Sequence, residues 1–248
     1  MSALVLALVA GAVIGLALGA LGGGGSVLAV PALIYLLGFT AVVATTASLV
    51  IVTLTSVTAL VAHAGDGHVR WRTGLLFAAA GIGPAMLGGA LAGQLPEAVL
   101  TVSFAVVAGV AALRMLRSRR VVESAVTVRP GRAAAAGAGL GAVTGVLGVG
   151  GGFLAVPALV GVLGLRMRDA VGTSLLVITV NSLAALATRA GTVEELDWAV
   201  VGPFVGAAIL GAWDGKRLSA KVSGHTLQRI FAVLLLSVAV FMLIDAVL

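Results

Sequence analysis

The 248-residue chain has no cysteine, 10% charged residues and 4% aromatic residues. Without cysteine there is no disulfide framework, iron–sulfur cluster, thiolate zinc site or cysteine nucleophile. Three histidines remain as soft metal ligands, and they are too isolated to form a metal set. The scarcity of charge, set beside 60% hydrophobic residues and a mean hydropathy of +1.21, excludes an ordinary soluble domain. At about 20 residues per crossing helix, the length allows roughly ten to twelve crossings, short loops and no soluble catalytic domain. A net charge of +6 would point a soluble protein toward nucleic acid. Here the basic residues fall between apolar segments without interleaved aromatics, so they set orientation and nucleic acid is not an expected partner.

What the chain has is apolar sequence punctuated by glycine, proline and charge. Five apolar segments occupy the first half, at 2–21, 26–38, 41–62, 73–95 and 98–116. Five more lie at 133–147, 152–164, 168–188, 198–213 and 226–247. Between them, 117–132 carries arginines at 117, 119, 120, 129 and 132 and reads as a basic cytoplasmic linker between repeats at 1–116 and 133–248. The first segment has no basic n-region and is expected to belong to the mature fold rather than to a signal peptide.

The halves align at an offset of 126 residues. GGGGSVLAVPAL, from Gly22 to Leu33, and GVGGGFLAVPAL, from Gly148 to Leu159, agree at nine of twelve positions. Gly15 and Gly19 match Gly141 and Gly145 upstream. Downstream, Ala44, Ser48, Leu49, Thr53, Ser56 and Gly65 match Ala170, Ser174, Leu175, Thr179, Ser182 and Gly191. One register holding glycines, proline and serines together marks an internal duplication. Loop charge then gives orientation: Arg70 and Arg72, the central linker, and the loop with Lys216, Arg217, Lys221 and Arg229 read as internal. Glu97 and the loop with Glu194, Glu195 and Asp197 read as external. Corresponding loops face opposite sides, as in the inverted repeats of many secondary transporters. The alternative is a parallel duplication with an even number of crossings per half.

Segments two and seven are too short to span and are expected to be broken or re-entrant helices. Consecutive glycines interrupt a helix, and the freed backbone groups need protein or water partners inside a bilayer. A helix restarting there presents N–H donors and a positive dipole end to an anion. Gly22, Gly23, Gly24, Gly25 and Ser26, with Gly148, Gly150, Gly151 and Gly152, are therefore candidate substrate-binding residues. Ser48 and Ser174 are the preferred hydroxyl donors of segments three and eight. Asn181, aligned with Thr55, is an amide costly enough at membrane depth to call for a partner or a ligand. His63 and Arg189, aligned at the ends of segments three and eight, are candidates for a gate or cavity mouth.

Plainer roles stand beside each of these. Glycines pack helices closely, hydroxyls bond to their own helix backbone, and His63, Arg189, Trp71 and Trp198 suit interfacial anchoring. No carboxylate sits in the middle of a segment, which leaves Asp66 and Asp214 as coupling candidates or as solvated groups. His68 and His225 are expected in loops.

The paired GGxxxxPxL-like tips, the A-x-x-x-S-L patterns at Ala44–Leu49 and Ala170–Leu175 and the basic linker resemble the TauE/SafE family of sulfite and organosulfonate exporters, over nearly the whole chain. The resemblance implies a multi-pass transporter that exports small sulfur-containing anions, coupled to a proton or cation gradient. The expectation is an all-α polytopic protein of a bacterial-type plasma membrane, with two inverted five-segment repeats and alternating access at a midplane site. It needs no cofactor, has the bilayer and a small anion as partners, and is open to homo-oligomerisation. Unwound carbonyls at the same tips could instead serve a cation or another small solute, and a non-transporting scaffold is the third reading. An intramembrane enzyme is not expected, because Lys216 and Lys221 share one loop and His63 lies near an interface, leaving a serine no base at depth.

Overall fold

The computed structural model describes residues 3–92, 96–117, 129–147, 152–187 and 196–245. Among these the chain is helical, without strands: α1 Ala3–Leu21, α2 Gly24–Pro31 with a π-helical turn Ala32–Leu36, α3 Ala41–Ala64, α4 Trp71–Ala92, α5 Glu97–Arg117, α6 Pro130–Leu147, α7 Ala155–Gly161, α8 Met167–Ala187, α9 Trp198–Lys221 and α10 Gly224–Asp245. Among the described residues, α1, α3, α8, α9 and α10 are long and apolar enough to cross a membrane. The protein is all-α and polytopic.

Three sequence boundaries shift. α6 starts at Pro130, inside the expected linker, because proline at the first helical position has no N–H to satisfy. α9 continues to Lys221, so Lys216, Arg217 and Lys221 occupy its last turns rather than a loop. Cations there meet the negative end of the helix dipole and reach water on long aliphatic stems. His225 lies in the first turn of α10, not in a loop.

Small residues decide which helices pair. Along α1, Gly11, Gly15 and Gly19 lie against the backbone of Phe204, Ala208 and Ala212 of α9, and Gly211 and Gly215 lie against Ala12 and Leu16. Gly137 and Gly141 of α6 meet Phe77 and Gly81 of α4 in the same way. A Cβ at these glycines would overlap a carbonyl oxygen, so four-residue glycine spacing sets the backbone approach. Both pairs run parallel, and each joins one helix of the first half to one of the second.

α3 and α8 cross antiparallel. Thr179 lies 3.0 Å from Ser56 near the middle of both helices, while Asp169 at the start of α8 reaches His68 and Arg70 beyond the end of α3. α5 packs on α10, where the buried Gln228 amide donates to the Met115 carbonyl at 2.7 Å. The ends of α3, α5 and α9 and the starts of α4, α8 and α10 thus share one face, which gathers Arg70, Arg166, Arg168 and Lys216. By the positive-inside preference this is the face expected toward the cytoplasm. Asp197, whose carboxylate caps α9 by accepting from the Ala199 N–H, marks the opposite face.

One backbone device recurs 126 residues apart. Gly38 and Gly164 take φ of +71° and +69°, and the Phe39 and Leu165 N–H groups donate to the Leu33 and Leu159 carbonyls at 3.1 and 3.0 Å. This is the helix stop in which a left-handed glycine lets the chain bond back across the last turn.

Candidate functional site at the paired glycine tips

α1 ends at Leu21 and the chain reverses through Gly22, whose φ of +66° suits glycine alone among common residues. Gly24 and Gly25 are already helical, so α2 starts earlier than Ser26. No side chain caps α2: the Ser26 hydroxyl donates to the Gly23 carbonyl at 2.7 Å and leaves the first N–H groups without a side-chain acceptor. Pro31 closes the α-helical part, and the chain continues as the π-helical turn.

The tips of the two halves touch. A Cβ on Gly23 would overlap the Gly152 carbonyl oxygen, and one on Gly152 would lie 2.8 Å from Ser26 Oγ. Both rest on α8, with Gly22 against Ser174 and Gly152 against Ile178. Ser174, Ile178 and Asn181 recur at helical spacing, so Asn181 shares the face of α8 that the tips cover. Five expected site residues, Gly22, Gly23, Ser26, Gly152 and Ser174, are therefore brought together, while Gly25 packs against Leu18 inside its own hairpin. Gly148, Gly150, Gly151 and Arg189 lie outside the described residues.

The preferred serines are engaged locally. Ser48 donates to the Thr45 carbonyl and Ser174 to the Val171 carbonyl, each at 2.8 Å. The polar atoms left over lie elsewhere on the same helices: Thr53 Oγ1 and Asn181 Oδ1 are buried without a hydrogen-bond partner. Between them in the crossing, Ser56 donates to the Thr53 carbonyl at 3.1 Å, and the Thr179 hydroxyl has Ser56 Oγ and the Leu175 carbonyl within reach. A buried unpaired polar atom costs roughly 1–3 kcal/mol, so two on paired helices call for a ligand or solvent.

His63 is buried, with Nδ1 3.0 Å from the Ala59 carbonyl, at a small cleft bordered by Asp66, His68, Arg168 and Lys216. The cytoplasmic face holds a cluster that sequence reading missed. Buried Asp169 accepts from Arg70 at 3.0 Å and Arg166 at 3.4 Å, and lies 3.3 Å from His68 Nδ1. Asp66 pairs with Lys216 at 2.8 Å, and the Lys216 hydrogen bond holds its carboxyl below the ordinary carboxylate value. The available signal was the acid in Leu165-Arg-Met-Arg-Asp169 opening an apolar segment.

Interrupted helices that meet between packed spans, beside unpaired polar groups, are the architecture of a membrane transporter. The chain belongs to the TauE/SafE sulfite exporter family, whose model matches residues 7–242. It is 34% identical over 248 residues to a protein of Xylella fastidiosa strain 9a5c, covering 97% of this chain and 95% of that one. A counterpart in strain Temecula1 is 34% identical over 249 residues, with the same coverage. Both are named probable membrane transporter proteins. No solved structure matches the chain. The protein is a multi-pass membrane transporter of bacterial plasma-membrane type, not an enzyme.

Proposed function

We propose that the protein exports a small sulfur-containing anion, sulfite or an organosulfonate, by alternating access at a site between the glycine tips and the tip-facing side of α8. Residues 22–26 and 148–152 form the backbone part of the site, where Gly23 and Gly24 supply N–H donors because those of Gly22 and Gly25 already bond to the Leu18 and Gly22 carbonyls. Asn181 and Thr53 are the side-chain groups, and Ser48 and Ser174 the flanking hydroxyls. His63 stands toward one mouth, and Arg189, its repeat-aligned counterpart in sequence, is the candidate for the other. Neutral donors hold a carrier's cargo loosely enough for release, without the desolvation cost of a buried cation. The observation that carries the reading is the buried, unpaired amide oxygen of Asn181 on the face the tips cover. Turning that amide by 180° offers an N–H to an anion.

Two inverted repeats fit the exchanged helix pairs, the antiparallel crossing of α3 and α8, and the placement of the α3–α4 and α8–α9 connections on opposite faces. Rocking of one unit against the other would then open each side in turn, coupled to a proton or cation gradient. The Asn181 oxygen also supports a second reading, a carrier for a cation held by carbonyl and amide oxygens.

Flux into proteoliposomes with sulfite, sulfoacetate, sulfate and thiosulfate, with and without a proton gradient, separates the two. Sulfite or sulfonate flux is expected. Asn181→Leu should cut it by about tenfold or more, the scale of one lost hydrogen bond to a charged ligand. The same variant should unfold no more readily than the parent, because an apolar side chain replaces an unpaired polar one. Flux that survives the substitution refutes the site, and cation uptake with no anion flux establishes the second reading.

A further inference from the structure

A cavity of about 680 Å³ opens between α5, α6 and α7, on the side of α7 that leads from Leu154, just past the second glycine tip, to Val162. Its walls are aliphatic, from Val106 and Val110 on α5, Leu140 and Val143 on α6 and Val160 on α7, and Arg114 lines the end nearest the cytoplasmic face. Arg114 has no ion pair among the described residues. From Arg114 to Val106 is eight residues of α5, about 12 Å of rise, which approaches one leaflet's share of a hydrocarbon core about 30 Å thick.

The corresponding position of the first half carries a large side chain. Tyr35 stands at the position equivalent to Gly161, and its ring meets Phe241 of α10 edge-on with centroids 5.5 Å apart, bridging the space between α2 and α10. Gly161 leaves the matching space beside α5 empty, with no atom within 4 Å of where a Cβ would be. One half carries an aromatic plug and the other a ligand-sized hollow with a cation at its inner end.

We propose that this cavity binds an anionic phospholipid of the cytoplasmic leaflet, with an acyl chain along Val106, Val110 and Val143 and the phosphate at Arg114. Aliphatic walls select the chain. An arginine at headgroup depth selects negative charge, which the cytoplasmic leaflet supplies. The transported anion has no tail to fill such walls.

The test titrates the full-length protein in detergent with phosphatidylglycerol or phosphatidylcholine and counts retained lipid by native mass spectrometry. One phosphatidylglycerol per chain should be held about five-fold more tightly than phosphatidylcholine, the scale of one basic contact at a membrane surface. Arg114→Gln should erase the preference, while Arg217→Gln, an exposed cation on the same face, should leave it intact. Gly161→Tyr, which copies the plug of the other half, should abolish retention of both lipids. Should that variant fail to fold, Val106→Trp fills the opposite wall and is read the same way. Equal retention of the two lipids, a preference that survives Arg114→Gln, or lipid kept by a folded plugged variant overturns the proposal. So does displacement of the lipid by sulfite alone, which would give the cavity to the transported anion.

Discussion

Thr53 and Asn181 hold the buried polar atoms that the helices leave unpaired, although Ser48 and Ser174 were the hydroxyls that repeat symmetry singled out. A serine in a helix can turn its proton to the carbonyl a turn back, and both serines do so. Whether it does depends on side-chain rotation, which the letter sequence does not encode. Asn181 has no such outlet, because its amide needs several partners at once. Asp66 gives a test at this scale. Its carboxyl is held below the ordinary value by Lys216, so the pair's contribution is fully present above the unfolded value of 3.8 and is lost as pH falls through the lower folded value. Asp66→Asn should therefore destabilise the fold at pH 7 by about 1 kcal/mol or less for so exposed a pair, read as a slightly lower Tm. The gap between parent and variant should close in melts run below about pH 4. A gap that does not narrow at all as the pH is taken from 7 to below about 4 would show that Asp66 acts through something other than its charge. Asp169 escaped sequence reading because Arg166 and Arg168 make it look like a local pair, while His68 and Arg70 come from about a hundred residues away.

At the scale of elements, the glycines divide by spacing. Those four residues apart in α1, at 11, 15 and 19, form a packing seam, and those running consecutively from Gly22 form a reversal. Both patterns are visible in the sequence, but the seam's partner is not, since nothing in α1 names α9. A paired comparison measures the difference. Gly15→Ala places a methyl on the Ala208 carbonyl and should cost about 1–3 kcal/mol of overpacking strain. Gly206→Ala, in the same helix pair but with no neighbour within 4 Å, should be neutral or stabilising by up to about 1 kcal/mol. Thermal unfolding in detergent reads both, and equal shifts would remove the seam as the reason for glycine at position 15. The shared Ala-Val-Pro-Ala-Leu motif shows the limit of local sequence. It ends α2 and enters a π-helical turn in one half, and it opens α7 in the other.

At the scale of the molecule, the Asp169 cluster ties the α3–α4 loop to the start of α8, so it bridges the two halves on the cytoplasmic face. If the halves rock, contacts there must part. The absence of native cysteine makes this directly testable, since any thiol introduced is the only one in the chain. Arg70 N–H donates to the Thr173 hydroxyl at 3.1 Å across this junction. A cysteine pair at Arg70 and Thr173, joined by a short thiol-reactive bridge, should stop flux, and cleavage of the bridge should restore it. Undiminished flux in the bridged protein would rule out rocking at this face. The two short segments and the basic side of the molecule were legible from residue order and charge. The exchange of α1 and α4 between halves was not, because contact between distant segments leaves no mark on either one alone.

That exchange sets a timetable for making the protein. α6 follows α4 closely, but the partner of Gly11 is Phe204, about 190 residues further along the chain. At roughly 5–20 residues per second of synthesis, α1 waits on the order of 10–40 s in the bilayer before α9 exists to cover it. Throughout that interval its row of glycines faces lipid or whatever else is nearby. A chain stalled before α9 would carry this bare helix as a lasting sign that it is unfinished, open to any factor that surveys incomplete membrane proteins.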